Sequence, residues 1–157
     1  MAHEHFPRPP EPSPSQAGPL WNAVEVFLPS APSFIGMSRR IAAGAMDRWG
    51  GIAPEVVADT VLIVSELMTN AVQHGCGADT PQAVSLRIER SAGQLLIEVT
   101  DSSSEPARLK SVGEKSTEGR GLQLVEKLST AWGTSNTNHT TWARVSAEPQ
   151  ELRRQPC

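Results

Sequence analysis

Cysteine is scarce in this chain: Cys76 beside Gly75 and Cys157 at the very end are the only two among 157 residues. They have no metal-ligand spacing and are too few for a disulfide scaffold, so both read as ordinary thiols. An excess of positive charge is also missing. Fourteen Lys and Arg against 17 Asp and Glu leave a net charge of −3, and the basic residues are scattered, which excludes an electrostatic footprint for nucleic acid or an anionic membrane. There is no run of 18 apolar residues. The N-terminus carries Glu4 and several prolines where a signal peptide needs a basic and then an apolar stretch, so the reading is cytoplasmic. The length predicts one domain with short tails and leaves no room for a multidomain enzyme.

Proline is abundant in one place only. Six of the 13 prolines fall in the first 19 residues, where little apolar material is available for a core, so residues 1–20 are expected to form a disordered tail. After Ala147 the apolar pattern is lost again, and residues 148–157 read as a flexible tail around a domain at 21–147.

Within the domain, Val24, Val26 and Leu28 alternate with Ala23, Glu25 and Phe27 and predict a strand that Pro29 stops. From Pro32 to Trp49 the spacing is helical, with Phe34, Met37, Ile41 and Ala45 on one side, until Gly50-Gly51 breaks it. Pro54 opens a second and longer helix that stops at Gly75. AVSLRIER and QLLIEVTD flank a turn at Ser91-Ala92-Gly93 and predict an antiparallel hairpin, with Val84, Leu86, Ile88, Leu95, Ile97 and Val99 inward. Residues 102–119 are polar and aperiodic, and a structureless loop of that length in a compact domain points to function. GLQLVEKLSTAWG reads as a short helix, Asn136 to His139 as a turn, and TTWARVSA as the last strand.

Three segments carry candidate chemistry. On the second helix, Val57, Val61, Val64, Met68 and Ala71 form one stripe, while Glu66, Asn70 and Gln73, with His74 beside them, lie opposite. Leu62, Ile63 and Leu67 flank that polar line, which sets Glu66 and Asn70 in apolar surroundings. A buried carboxylate is costly unless paired or used, so a functional site and a structural network both remain open. Asp101 shares side-chain parity with Leu95, Ile97 and Val99; it is either the first residue of a turn or an inward acceptor for an N–H donor. Glu118-Gly119-Arg120-Gly121-Leu122 leads into the third helix, where Gly-x-Gly suits either a loop joint or a phosphate cradle at a helix start. Neither a Walker loop nor a dinucleotide fingerprint is present.

Taken in order, these segments resemble the GHKL-type ATP-binding domain, in its bacterial anti-sigma-factor serine kinase branch. VSELMTNAVQHG is similar to the family's N box, VTDSSSEP to its first nucleotide box, EGRGLQLVEKLSTAWG to its second and TTWARV to its closing strand. The resemblance implies an α+β fold, a two-layer α/β sandwich of the Bergerat type whose mostly antiparallel sheet is covered by helices on one face. It further implies that Glu66 polarises a serine hydroxyl or a water and that Asn70 is a Mg²⁺ ligand. By the same resemblance Asp101 bonds the adenine amine, Thr140 lies beside that Asp, and Gly119, Arg120, Gly121 and Leu122 belong to the nucleotide-binding segment. Residues 102–118 become the lid over ATP. The implied partners are a sigma factor and an anti-sigma-factor antagonist protein, and a homodimer is compatible with it.

Two departures from the family pattern stand out. Ser102-Ser103-Ser104 replace glycines of the broader superfamily, and Asn138-His139 stand where relatives commonly carry Gly-Lys. Retained Glu66 favours a kinase, whereas His139 favours a nucleotide-dependent binding module without phosphoryl transfer. An ATP-hydrolysing machine of the chaperone or topoisomerase kind needs more domains than this length supplies.

Overall fold

The computed structural model describes residues 22–74, 82–91, 93–101, 118–135 and 139–148. Five strands and three α-helices follow one another as β1 (Ala23–Pro29), α1 (Ile35–Trp49), α2 (Pro54–His74), β2 (Ala83–Ser91), β3 (Gln94–Asp101), α3 (Glu118–Leu128), β4 (Ala131–Ser135) and β5 (Thr140–Ser146). The strands form one sheet in the order β1-β2-β3-β5-β4, every neighbouring pair antiparallel. This is the expected α+β sandwich, a single sheet with its helices gathered over the inner face. The expected tails and the expected lid lie outside the described residues, apart from Glu148 and Glu118. No described helix is long and apolar enough to cross a membrane.

Period-two alternation explains the sheet. Val24 pairs with Ile88, which pairs with Ile97 and then Ala143; beside that row run Val26, Leu86, Val99 and Thr141. Because paired residues of an antiparallel sheet share a face, these rows make one apolar surface, and Leu86, Ile88, Ile97 and Ala143 are fully buried in it. The β2–β3 turn is tight: Ser91 pairs with Gln94, and Gly93 takes φ +76°, which a residue without Cβ adopts freely. On the outer face, Arg87 lies between Glu25 and Glu98 in register and bonds Glu89 at 2.6 Å. That hydrogen bond, the main influence, holds the Arg87 guanidinium above its ordinary range.

Two expectations need correcting. In α1 the buried stripe is Ser38, Ala42 and Met46, not Phe34, Met37, Ile41 and Ala45, and Met37 is 38% exposed. The core-facing side of α1 is centred one residue, about 100°, from the expected stripe, at Ser38, Ala42 and Met46, while Phe34 and Ile41 are partly buried at its edge. Ser38 is tolerated there because its hydroxyl donates to the Ile35 carbonyl at 2.6 Å. The second correction is β4, which the sequence reading absorbed into the third helix. Helix α3 stops at Leu128, where Ser129 donates both its amide and its hydroxyl back to the Val125 carbonyl. Thr130 then bonds the Arg144 carbonyl and Ala131–Ser135 pairs with β5. Five residues with little apolar alternation leave no period-two signal, and the partner strand decides the conformation.

Helix α2 is the centre of the helical layer. It packs on β2, β3 and β5, with α1 on one flank and α3 on the other. Its buried side comprises Val56, Thr60, Ile63, Val64, Leu67, Met68, Ala71 and Val72, wider than the expected stripe, with Val57 and Val61 only partly covered. Contact with three neighbours requires an apolar arc broader than one stripe.

Candidate functional site

The polar side of α2 presents Glu66, Thr69, Asn70 and Gln73, spaced i, i+3, i+4 and i+7, along one line. They form one wall of an open cleft of about 650 Å³. Arg120, Gly121, Leu122 and Leu124 of α3 line it opposite. Five expected site residues, Glu66, Asn70, Arg120, Gly121 and Leu122, are thereby brought together from two separate parts of the chain. Thr69 was missed, although its i+3 spacing from Glu66 was a usable signal; its hydroxyl donates to the Ser65 carbonyl at 2.7 Å.

The apolar enclosure expected around Glu66 is not what the fold builds. Ile63 and Leu67 are fully buried on the sheet side, but Leu62 is 45% exposed, and Glu66 and Asn70 are both half-buried at the cleft. An arc flanked by core on one edge and solvent on the other leaves Glu66 only half-buried, which lowers the burial cost. The Gly119-Arg120-Gly121 segment also differs from its expected place. It forms the first turn of α3 itself, which starts at Glu118.

Asp101 and Thr140 do not line this cleft. Asp101 closes β3 in register with the buried Val84, so it stands on the inner face as its parity predicts, half-buried, with its amide bonded to the His139 carbonyl at 3.1 Å. Thr140, expected beside it, pairs instead with Thr100, and the two hydroxyls meet at 2.7 Å on the outer face. The next residue, Thr141, pairs with Val99 and faces inward on the Asp101 side. Strand parity assigns it there once the β3–β5 register is known. His139 holds φ +52°, a left-handed conformation unusual for a residue with a Cβ, at the entry to β5.

Among the described residues, no group of three His, Cys, Asp or Glu side chains could hold a metal ion. A cleft with one carboxylate and two amides, Asn70 and Gln73, suits a hard cation that draws most of its ligands from phosphate oxygens and water, as Mg²⁺ does, and not an all-protein cage. The carboxylate and the two amides face the first turn of a helix, where partial positive charge gathers.

A family model described as the histidine kinase-like ATPase domain matches residues 28–146 of this chain. The serine-protein kinase RsbW of Bacillus subtilis (strain 168) is 33% identical over 78 residues, a stretch that makes up 50% of this chain and 48% of that protein. The chain therefore spans about half the length of the curated relative it matches.

Proposed function

From the premise that the chain belongs to the histidine kinase-like ATPase domain family, we propose that it is an ATP-binding regulatory protein that phosphorylates a serine on another protein. The observation that carries the proposal is the placement of Glu66 and Asn70, one turn apart on α2, across a cleft from the first turn of α3. The likeness to a serine-protein kinase supports the choice of reaction. On this reading the substrate protein is an anti-sigma-factor antagonist, and the chain also holds a sigma factor in the cytoplasm. A phosphoryl group adds about −1.5 to −2 charge at pH 7, enough to expel the antagonist from a complementary surface and exchange partners.

In that mechanism the Glu66 carboxylate accepts a hydrogen bond from the serine hydroxyl and takes its proton as the oxygen attacks the γ-phosphorus of ATP, whose bond to the β–γ bridging oxygen breaks to release ADP. The Asn70 side-chain oxygen would hold Mg²⁺, which when bound would offset the negative charge of the phosphates. Amides in the first turn of α3 and the Arg120 guanidinium face the phosphate side, where negative charge is favoured. Asp101, at the far end of the inner β3 row, accepts from the adenine amine. Its amide bond to His139 and the Thr141 side chain on the same face fix the local frame.

The test compares two variants for ATP affinity, melting temperature and transfer from γ-labelled ATP to candidate antagonists. Glu66→Gln should leave ATP affinity nearly unchanged and cut transfer on the order of 10²- to 10⁴-fold, the range for a general base. Asn70→Ala should weaken metal-dependent binding and transfer together. Binding of Mg·ATP with no transfer by the unmodified protein would replace the kinase with a nucleotide-dependent binding module. The absence of any thermal shift at millimolar Mg·ATP would remove the nucleotide reading as well.

A further inference from the structure

Gly121 has no conformational reason to be glycine. It lies within α3, where glycine is among the poorest residues by helix propensity, and it is not among the residues with positive φ, Gly50, Gly51, Gly93 and His139. Its reason is spatial. A Cβ at Gly121 would overlap Oε2 of Glu66 and stand 3.4 Å from its Cδ and 3.8 Å from its Cβ. Gly44 in α1 is the contrast: a Cβ there meets nothing within 4 Å.

We propose that Gly121 is the positioning residue for Glu66: its missing side chain lets the backbone of α3 close onto the carboxylate, and that contact fixes where the carboxylate points in the cleft. This goes beyond the part the Gly119-Arg120-Gly121 turn plays toward phosphate, because it acts through a side chain of another helix. The flexible arm of Glu66 can swing aside to admit a methyl group, so a substitution at Gly121 moves the carboxylate more readily than it unfolds α3. Since a misplacement of about 1 Å can cost on the order of 10²-fold in rate, the consequence falls on turnover. That catalytic consequence rests on the kinase reading above; the contact itself does not.

A double-mutant cycle separates the two. In the unmodified background, Gly121→Ala should lower the melting temperature only slightly, by about 1 to 3 °C, because the Glu66 side chain gives way and helix propensity offsets part of the cost. In Glu66→Ala, where only a Cβ remains at ordinary contact distance, the same change should cost nothing or raise the melting temperature through helix propensity. Equal shifts in both backgrounds would overturn the proposal. Turnover of γ-labelled ATP supplies the second readout. Gly121→Ala should lower kcat about 10- to 100-fold with KM for ATP altered less than about threefold, and should cost nothing further in Glu66→Gln, which keeps the bulk but not the base. Loss of ATP affinity equal to the loss of turnover, in every background, would return Gly121 to an ordinary phosphate-side glycine. If the unmodified protein shows no turnover but the thermal cycle is coupled, the contact stands and the general-base role of Glu66 falls.

Discussion

Helix α2 has two flanks, and they differ in kind. Toward α1 the seam is filled: Ala42 and Met46 join Val56, Ile63, Val64, Leu67 and Met68 in one buried cluster, and the buried Thr60 hydroxyl is satisfied by the Val56 carbonyl at 2.7 Å. Toward α3 the seam is open, with a cleft lined by Glu66, Thr69, Asn70 and Gln73. One helix therefore has a packed apolar seam on one side and an open polar cleft on the other. A carboxylate and an amide cannot sit in a closed apolar seam without partners, and an open cleft forgoes the burial that stabilises the closed one.

The sharpest way to break this contrast is to empty the closed seam. Met46→Ala should destabilise the domain by about 2 to 5 kcal/mol, by lost transfer free energy plus a residual cavity, with ATP affinity of the folded fraction unchanged. Urea unfolding measures the first and calorimetry the second. If affinity falls in step with stability, the two seams are not independent.

Asn70→Ala in the open seam should do the reverse. Mg·ATP affinity should drop about tenfold, which corresponds to about 1.4 kcal/mol, while stability moves by no more than about 0.5 kcal/mol. A stability loss larger than the binding loss would mark Asn70 as a structural residue.

Smaller still is Gly44→Ala on α1. With open space around the added methyl, it should stabilise the domain by about 0.5 to 1 kcal/mol, opposite in sign to Gly121→Ala at the α2–α3 contact. Thermal melts of the two variants side by side test whether space or backbone conformation governs each glycine. Least of all should Arg39→Ala matter. The Arg39–Ser65 hydrogen bond spans the α1–α2 seam at its exposed rim, at 3.1 Å, and its loss should cost no more than about 0.5 kcal/mol. A larger value would show that the rim, and not the buried cluster, holds the seam.

Where an element carries its own period, the sequence was sufficient. The β2–β3 hairpin was legible from two alternating runs around a glycine turn, and α2 from Pro54 to His74, because each pattern is local and the burial follows it. The α1 stripe was centred one residue off because its buried positions are the small or polar Ser38 and Ala42, which carry little hydrophobic signal, whereas Met37 is exposed. Strand β4 was lost because its conformation comes from β5. Thr140 was set beside Asp101 by likeness of motif, yet strand parity turns it to the other face and brings Thr141 inward.

Legible along the chain were the second helix with its polar line, the inward parity of Asp101 and the glycine-bearing segment at α3, because periodicity and chain breaks are local, whereas the fold class came from the likeness of these motifs to a known family. Only the tertiary structure decided that Glu66 faces an open cleft and not a dry pocket, which threonine shares the Asp101 face, and that Gly121 lies against Glu66. Those facts depend on how distant elements pack: register sets which face a strand residue takes, and approach distance sets where a side chain is forbidden.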